Sequence, residues 1–291
     1  MKFAIIGGDL RIIRLAEMLS KDAHEVYTYG LEKAKELKDM QNIIECDTIE
    51  NAIQEAEIIV GPIPISSNGE TVNTPFGEKE LTIREMFDHM KTRTIIAGAI
   101  SPKIQEIAKL DEINIIDIME SEELAILNTI ATAEGTIQLA IENTDRILHG
   151  SRVLVLGFGR IGKVLARKLI GLSAVVTCAA RKDEDFAWIQ AYGYKVTNIN
   201  NIGKDLKQYD IIINTVPHLI LTEKRLEYVK DNVLLIDLAS NPGGIDRNAV
   251  KERKLKFIWA LSLPVKVAPT TSAEFIYNMV LKISKNIKDY S

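Results

Sequence analysis

The stretch Ser151-Arg152-Val153-Leu154-Val155-Leu156-Gly157-Phe158-Gly159-Arg160-Ile161-Gly162 constrains this chain more than any other. A continuous apolar run ends in a glycine turn, and an amphipathic segment follows to about Gly171. Strand, turn and helix in that order, with glycines spaced G-x-G-x-x-G, form a dinucleotide-binding fingerprint. Gly157 permits the tight turn, Gly159 lets a pyrophosphate approach the backbone, and Gly162 lets the helix pack closely on the strand. The helix N-terminus then offers N–H groups and partial positive charge.

The rest of the sequence repeats the same alternation. In the first half, apolar strands are expected at "KFAIIGG", "EVYTYG", "EIIVGPIPI", "RTIIAGA" and "INIIDI", with helical patterns such as 10–20 and 102–110 between them. In the second half, strands are expected at 153–156, 174–179, 195–197, 210–214, 233–237 and 257–259, with helices at about 162–171, 184–192, 222–229 and 246–253. Alternation of this kind predicts parallel, doubly wound α/β sheets. Residues 62–82 interrupt it with a long polar loop, of a length that is often functional. Residues 121–148 read as a long helical stretch broken near Gly135, and 272–288 as an amphipathic helix that Ser272 could cap. The expected organisation is an N-terminal α/β domain over 1–125, completed by the C-terminal helix 272–291. A linking helix over 126–149 leads to a dinucleotide-binding domain over 150–271. The two long helices would form the hinge, and the cleft between domains the active site.

Composition narrows the function. With 36 Lys and Arg against 40 Asp and Glu, the net charge of -4 argues against a nucleic-acid binder. No apolar run approaching the ~20 residues of a membrane span stands out, and no signal peptide is evident at the N-terminus. Cys46 and Cys178, the two cysteines, sit in or beside expected strands and read as buried reduced thiols, which points to the cytoplasm. The four histidines are scattered, without H-E-x-x-H, C-x-x-C or G-x-S-x-G, so neither a metal site nor a nucleophile elbow is expected.

The second expected strand ends in "CAARKDED". A carboxylate at this edge would bind the adenosine ribose hydroxyls and repel a 2′-phosphate, but Arg181 stands there, 24 residues after Gly157. An arginine can pair with that phosphate, which favours NADP over NAD. The alternative is that Asp183 or Asp185 bends back to the ribose, although acids there also suit the start of the next helix. The expected cofactor-binding set is Gly157, Phe158, Gly159, Arg160, Ile161, Gly162, Ala180, Arg181, Lys182, Thr215, Val216, Pro217, Asp237 and Ser240. Asp237 and Ser240 lie in "LLIDLASNPGGID", where a nicotinamide carboxamide would find partners, and His218 is a minor candidate base. Arg225 and Arg247 sit in helical segments and are expected to be exposed. In "AIIGGDLRII", Asp9 and Ile12 replace the second and third glycines, so this first turn reads as structural.

Other polar groups are candidates for a small anionic substrate. Ser66 and Ser67 lie in the long loop, and Ser101 precedes Pro102 at an expected helix start. Thr132 and Glu134 fall in an apolar helical segment. There Glu134 is hard to explain as solvated surface and reads either as a general acid/base or as a partner for backbone at a helix break.

The stretches "FAIIGGDLR", "ATAEGTIQLAIENTD", "LHGSRVLVLGFGRIG", "AARK", "DIIINTVP", "LLIDLASNPGGID" and "LPVKVAPTTSAE", in this order and over nearly the whole chain, resemble the family of the dipicolinate synthase A subunit. The resemblance implies a Rossmann domain beside a smaller α/β domain, as in the 2-hydroxyacid dehydrogenases. It also implies oxidation of dihydrodipicolinate to dipicolinate in the mother cell of a sporulating bacterium, with the flavoprotein-like dipicolinate synthase B subunit as partner. The substrate would be a small dicarboxylate and the chain a homo-oligomer, without nucleic acid, membrane or metal. On that reading Glu134 is the acid/base, and Ser66, Ser67, Ser101 and Thr132 contact the carboxylates. Two rivals stand beside it: another NAD(P)-dependent dehydrogenase of hydroxy or amino acids, and a non-catalytic NADP-binding component that works through its partner.

Overall fold

The computed structural model describes residues 1–90 and 93–289. Contacts divide the chain into two units, one of Met1–Leu127 with the residues from Ala268 on, the other Asn128–Val267.

The first unit runs β1 (Lys2–Ile6), α1 (Leu10–Lys21), β2 (Glu25–Tyr29), β3 (Ile43–Glu45), α2 (Ile49–Glu55), β4 (Ile58–Val60), α3 (Ile83–Asp88), β5 (Thr94–Ala97), α4 (Pro102–Leu110) and β6 (Asn114–Asp117). Its strands form one parallel sheet in the order β3-β2-β1-β4-β5-β6. The central strand β1 is apolar from Phe3 to Ile6 because helices cover both faces. Phe3 and Ile5 enter one core with Ile12, Leu15 and Leu19, whereas Ala4 and Ile6 enter the other with Ile53, Phe87 and Ile104.

A long helix, α5 (Glu122–Asn143), leads into the second unit. There follow β7 (Arg152–Leu156), α6 (Arg160–Gly171), β8 (Val175–Ala180), α7 (Asp183–Ala191), β9 (Lys195–Asn198), β10 (Ile211–Asn214), α8 (Glu223–Leu226), β11 (Leu234–Asp237), α9 (Arg247–Glu252), β12 (Lys256–Trp259) and α10 (Leu263–Val267). The described residues end in α11 (Pro269–Asp289), which packs Ile276, Met279 and Val280 into the α1 side of the first core. The second sheet is also parallel, ordered β12-β11-β10-β7-β8-β9. Counted within each unit, both sheets have the order 3-2-1-4-5-6 of a dinucleotide-binding fold. Val153 and Val155 face a core shared with α5 and α6, and Leu154 and Leu156 face the opposite one.

Several expectations change. The strand β3 has no counterpart among the expected strands, because it is a three-residue edge strand whose Ile44 and Glu45 are exposed. α5 is unbroken at Gly135, and with 22 residues it is long and apolar enough by composition to span a membrane. In this fold it packs Ala133 and Ala140 into the second core. Gly135 serves that packing: a Cβ there would lie 3.1 Å from both γ-methyls of Val267. Ser272 does not cap the last helix, which begins at Pro269, and it is buried within the first turns. The long loop is irregular but tied down. Ile65 N–H donates to Gly98, Asn73 N–H to Ile65 and Val72 N–H to Leu81, while Ile63, Ile65, Val72 and Leu81 are buried.

Cys46 and Cys178 are both free and buried, and burial pushes the Cys178 thiol up to about 12. Asp210, just before β10, behaves in the opposite sense. Burial alone would raise its pKa, but the hydrogen bond and charge of Lys230 (2.6 Å) and the Arg152 N–H (2.9 Å) hold it below its ordinary value. Because the folded pKa is the lower one, its contribution is complete above the unfolded value of about 4 and is lost as pH falls through the folded value. Urea titrations from about pH 7 down to 3 should therefore show a shallower acid loss of stability in Asp210→Asn than in the parent, and parallel curves would contradict this account.

Candidate functional site

The two units treat the end of their first strand in opposite ways. In the first, Gly7 (φ 58°) and Gly8 turn the chain into α1, whose N-cap Asp9 accepts from Arg11 N–H and pairs with the Arg11 guanidinium at 2.8 Å. The Arg11 side chain also donates to the Ile63 carbonyl. Gly8 N–H donates to Asn73 O at 2.9 Å, and a Cβ on Gly7 would lie 2.6 Å from the Thr74 methyl. The long loop therefore fills the place that a diphosphate would take in a nucleotide-binding turn. Glu32, after β2, extends the same pattern by accepting from the N–H groups of Gly30 (2.8 Å) and Glu78 (3.0 Å).

In the second unit the corresponding edge is open. A cavity of about 530 Å³ lies along the carboxyl ends of β7 to β10, within the usual size of small-molecule sites. Its walls are Gly157, Phe158, Gly159, Arg160 and Ile161 after β7, and Ala180, Arg181, Lys182 and Asp185 after β8. Ile199 and Asn200 follow β9, and Thr215, Val216, Pro217, His218 and Ile220 follow β10. Gly157 has φ 97°, and a Cβ there would meet Thr215 Oγ1 at 2.4 Å. A Cβ on Gly162 would lie 2.2 Å from the Gly157 carbonyl oxygen. Backbone and packing thus require both of these glycines. Gly159 differs, since its φ of -77° suits any residue and, its own chain neighbours aside, no protein atom lies within 4 Å of a Cβ built on it. The space above Gly159 is what a close-lying ligand would need. Gly159 is also the N-cap of α6 and offers no side chain to its first-turn N–H groups.

Charge around the cavity favours an anion. Arg160, Arg181 and Lys182 face one carboxylate, Asp185. Lys182 pairs with Glu184 at 3.0 Å, whereas exposed Arg181 belongs to none of the ion pairs among the described residues. Asp183, Glu184 and Asp185 form the first turn of α7, where they complement its dipole. The residues therefore fit a dinucleotide: a pyrophosphate over Gly157–Ile161 and an adenosine ribose beside Ala180–Lys182.

Eleven of the expected cofactor residues line the cavity, and three do not. Gly162 lies below the turn. Ser240 is exposed in a turn where its carbonyl accepts from Gly243 N–H. Asp237 is only 1% exposed, and its carboxylate is already occupied. Oδ1 accepts from Asn214 Nδ2 (2.7 Å) and Ala239 N–H (3.1 Å), and Oδ2 from Gly244 N–H (2.7 Å). It cannot offer the direct contact expected of it.

The substrate candidates also change. Glu134 is exposed and forms an ion pair with Lys168 at 2.7 Å, because helical spacing turns it away from Ala133 and Ala140, which pack into the core. Its immediate neighbour Ala133 points into the core, while Ile130, one turn before it on the same face, is itself exposed. The Thr132 hydroxyl donates to Asn128 O, and the Ser66 hydroxyl donates to Asn68 Oδ1 while accepting from Gly69 N–H. Ser101 caps α4 as an acceptor from Ile104 N–H, and Ser67 is exposed in the loop.

Four contributors were missed or misread: Ile199, Asn200 and Ile220 of the cavity wall, and Arg225 behind it. Arg225, read as exposed, is half-buried and donates to the carbonyls of Ile220 and Asn200 (2.8 Å each), tying two cavity walls together. Ile199 and Asn200 could have been found from their place at the carboxyl end of a strand, where doubly wound sheets bind ligands.

Residues 2–119 match the family model described as the N-terminal domain of the dipicolinate synthase A subunit, and residues 128–252 that of the D-isomer specific 2-hydroxyacid dehydrogenase NAD-binding domain. The chain is 31% identical to the dipicolinate synthase A subunit of Bacillus subtilis, over 99% of this chain and 97% of the relative. The crystal structure of the dipicolinate synthase A chain from Bacillus subtilis superposes with a TM-score of 0.90 at 30% identity, covering 100% and 98% of the two chains. That of the dipicolinate synthase A subunit from Bacillus halodurans gives 0.88 at 29%, covering 97% of each. A D-isomer specific 2-hydroxyacid dehydrogenase from Lactobacillus delbrueckii ssp. bulgaricus, in its NAD-complexed form, shares the fold at a TM-score of 0.57 and 12% identity, covering 100% and 98%.

The three glycines separate ligand binding from folding. Gly159→Ala should change stability by less than about 0.5 kcal/mol yet weaken binding of a nicotinamide dinucleotide roughly tenfold or more. Gly162→Ala should cost about 1–3 kcal/mol of stability through overpacking. Thermal melts and calorimetric titrations check both, and undiminished binding by the Gly159 variant would contradict the assignment of that open space.

Proposed function

The chain belongs to the family of the dipicolinate synthase A subunit, and from that premise we propose that it oxidises dihydrodipicolinate to dipicolinate with NADP as hydride acceptor. The family and the dehydrogenase-type domain make it an oxidoreductase with a nicotinamide dinucleotide cofactor. The finer reading rests on one observation: at the ribose edge of an open dinucleotide-shaped cavity stand Arg181 and Lys182 rather than a lone acid.

Each wall has a task in this reading. The turn at Gly157–Gly159 admits the pyrophosphate to the backbone, and the uncapped start of α6 donates to it. Arg181 takes the 2′-phosphate as a charge-assisted partner, and Lys182, held by Glu184, adds positive potential. When bound, the cofactor would supply the acceptor for one ring hydrogen as hydride; the second would pass to water as a proton, and the pyridine ring would become aromatic. The chain must hold two carboxylates and align the ring. Of the four hydroxyls considered, Ser67 and Ser101 are best supported: Ser101 uses its cap only as an acceptor and keeps its O–H to donate, whereas Ser66 and Thr132 already donate. Glu134, paired with Lys168, loses the burial that made it a candidate base. The flavoprotein-like dipicolinate synthase B subunit as partner, a homo-oligomeric state and the mother-cell cytoplasm as the place of action complete the proposal.

The deciding assay uses freshly generated dihydrodipicolinate with NADP+ or NAD+, with and without the flavoprotein partner. The isolated chain should reduce NADP+ in steady turnover. Loss of one charge-assisted contact worth about 1.5–3 kcal/mol should raise KM for NADP+ by roughly 10- to 100-fold in Arg181→Ala, with little change for NAD+. A preference for NAD+ that survives this substitution would overturn the 2′-phosphate argument, and binding without turnover would favour a non-catalytic role.

A further inference from the structure

The buried pair Asn214–Asp237 is the polar group of the second unit that the proposed chemistry leaves unused. Asn214 is fully buried and Asp237 nearly so. Asn214 Nδ2 donates to Asp237 Oδ1 and to the carbonyl of Val216 (2.9 Å), a residue of the cavity wall, and Asn214 Oδ1 accepts from Val216 N–H (3.2 Å). Asp237 Oδ2 accepts from Gly244 N–H, and Gly244 O accepts from Ile220 and Leu221 N–H. The pair therefore fixes the β10 wall of the cavity from behind. All three of its direct partners are N–H donors, the pattern of an ionised, acceptor-only carboxylate.

Among the described residues no cation is in direct contact with that carboxylate. Asp237 takes part in none of their ion pairs, and the guanidinium of Arg247 lies over the ring of Trp259 (4.5 Å), with which Asp237 is in register. A buried carboxylate held only by neutral donors costs more than a neutral group. Strand order gives it a direction. The basic ribose edge lies at β8, on one side of β7, so the far end of a bound dinucleotide lies on the other side, toward β10 and β11. Asp237 is the last residue of β11.

We infer that Asp237 is a fixed negative charge that makes this site favour the oxidised, cationic nicotinamide over the reduced, neutral one. It acts through space, without a contact, and suits a chain that binds an oxidised cofactor and releases a reduced one. The inference rests on the dinucleotide reading of the cavity. The two oxidation states share the whole ADP-ribose moiety, so a distortion of that part of the cavity weakens both alike. A change of charge near the nicotinamide alters their ratio, and a variant that cuts the same network while keeping the charge controls for altered shape.

Calorimetric titration of the whole chain with NADP+ and with NADPH separates these effects. The parent protein should bind NADP+ at least as tightly as NADPH. In Asp237→Asn the ratio of Kd for NADP+ to Kd for NADPH should rise roughly tenfold, the scale of one charge acting within a protein. Asn214→Ser, which cuts the same network and keeps the charge, should weaken both forms by the same factor. An unmoved ratio in Asp237→Asn, or equal movement in both variants, would overturn the assignment. Should the variants not fold, the parent decides, and a tenfold preference for NADPH there overturns it. Binding of neither form by the parent would remove the dinucleotide reading itself, whereas binding of both with an unmoved ratio removes the charge assignment alone.

Discussion

Backbone N–H groups at the start of a helix must find acceptors, and in this molecule two helices meet that demand differently. Each follows the first strand of a parallel sheet with the same strand order, and each is entered through a glycine turn. At α1 the protein supplies its own acceptors: the Asp9 carboxylate caps the helix, and the Asn73 carbonyl sits over the turn. At α6 the cap is a glycine with no side chain, and the space above it is open. The first turn is closed by its own loop, and the second is complementary to an anion that the protein does not provide.

The long loop of the first unit gains a physical role from this comparison. It carries dense neutral hydrogen-bonding groups, and many of them are satisfied within the loop or against Gly8 and Glu32. In the second unit, rigidity comes from other devices. Arg225 joins the walls after β9 and β10, and Asn214 with Asp237 joins those after β10 and β11. A cavity whose walls are fixed in this way is preorganised, which lowers the entropy lost on binding.

Much of this was legible in the sequence because parallel strands covered on both faces are continuous apolar runs, and the inner strands of the second sheet, β7, β8, β10 and β11, carry that signal. The cavity wall was legible for a related reason, since ligands of doubly wound sheets sit at the carboxyl ends of strands. What was not legible depended on direction in space. Glu134 looked buried among apolar neighbours, but one residue along a helix rotates a side chain by about 100°. Asp237 stood at the right edge with its carboxylate turned to Asn214 and Gly244, which its position in the sequence does not reveal. Gly135 looked like a break until Val267 showed what the missing side chain makes room for. The edge strand β3, half exposed and three residues long, has no periodic signal.

One open turn and one plugged turn in the same chain make a claim about number. Isothermal titration of the purified whole chain with NADPH, followed by displacement with adenosine 2′,5′-bisphosphate, measures it directly. The account predicts one dinucleotide per chain, fully displaced by the bisphosphate. Two molecules per chain, or none, would contradict it.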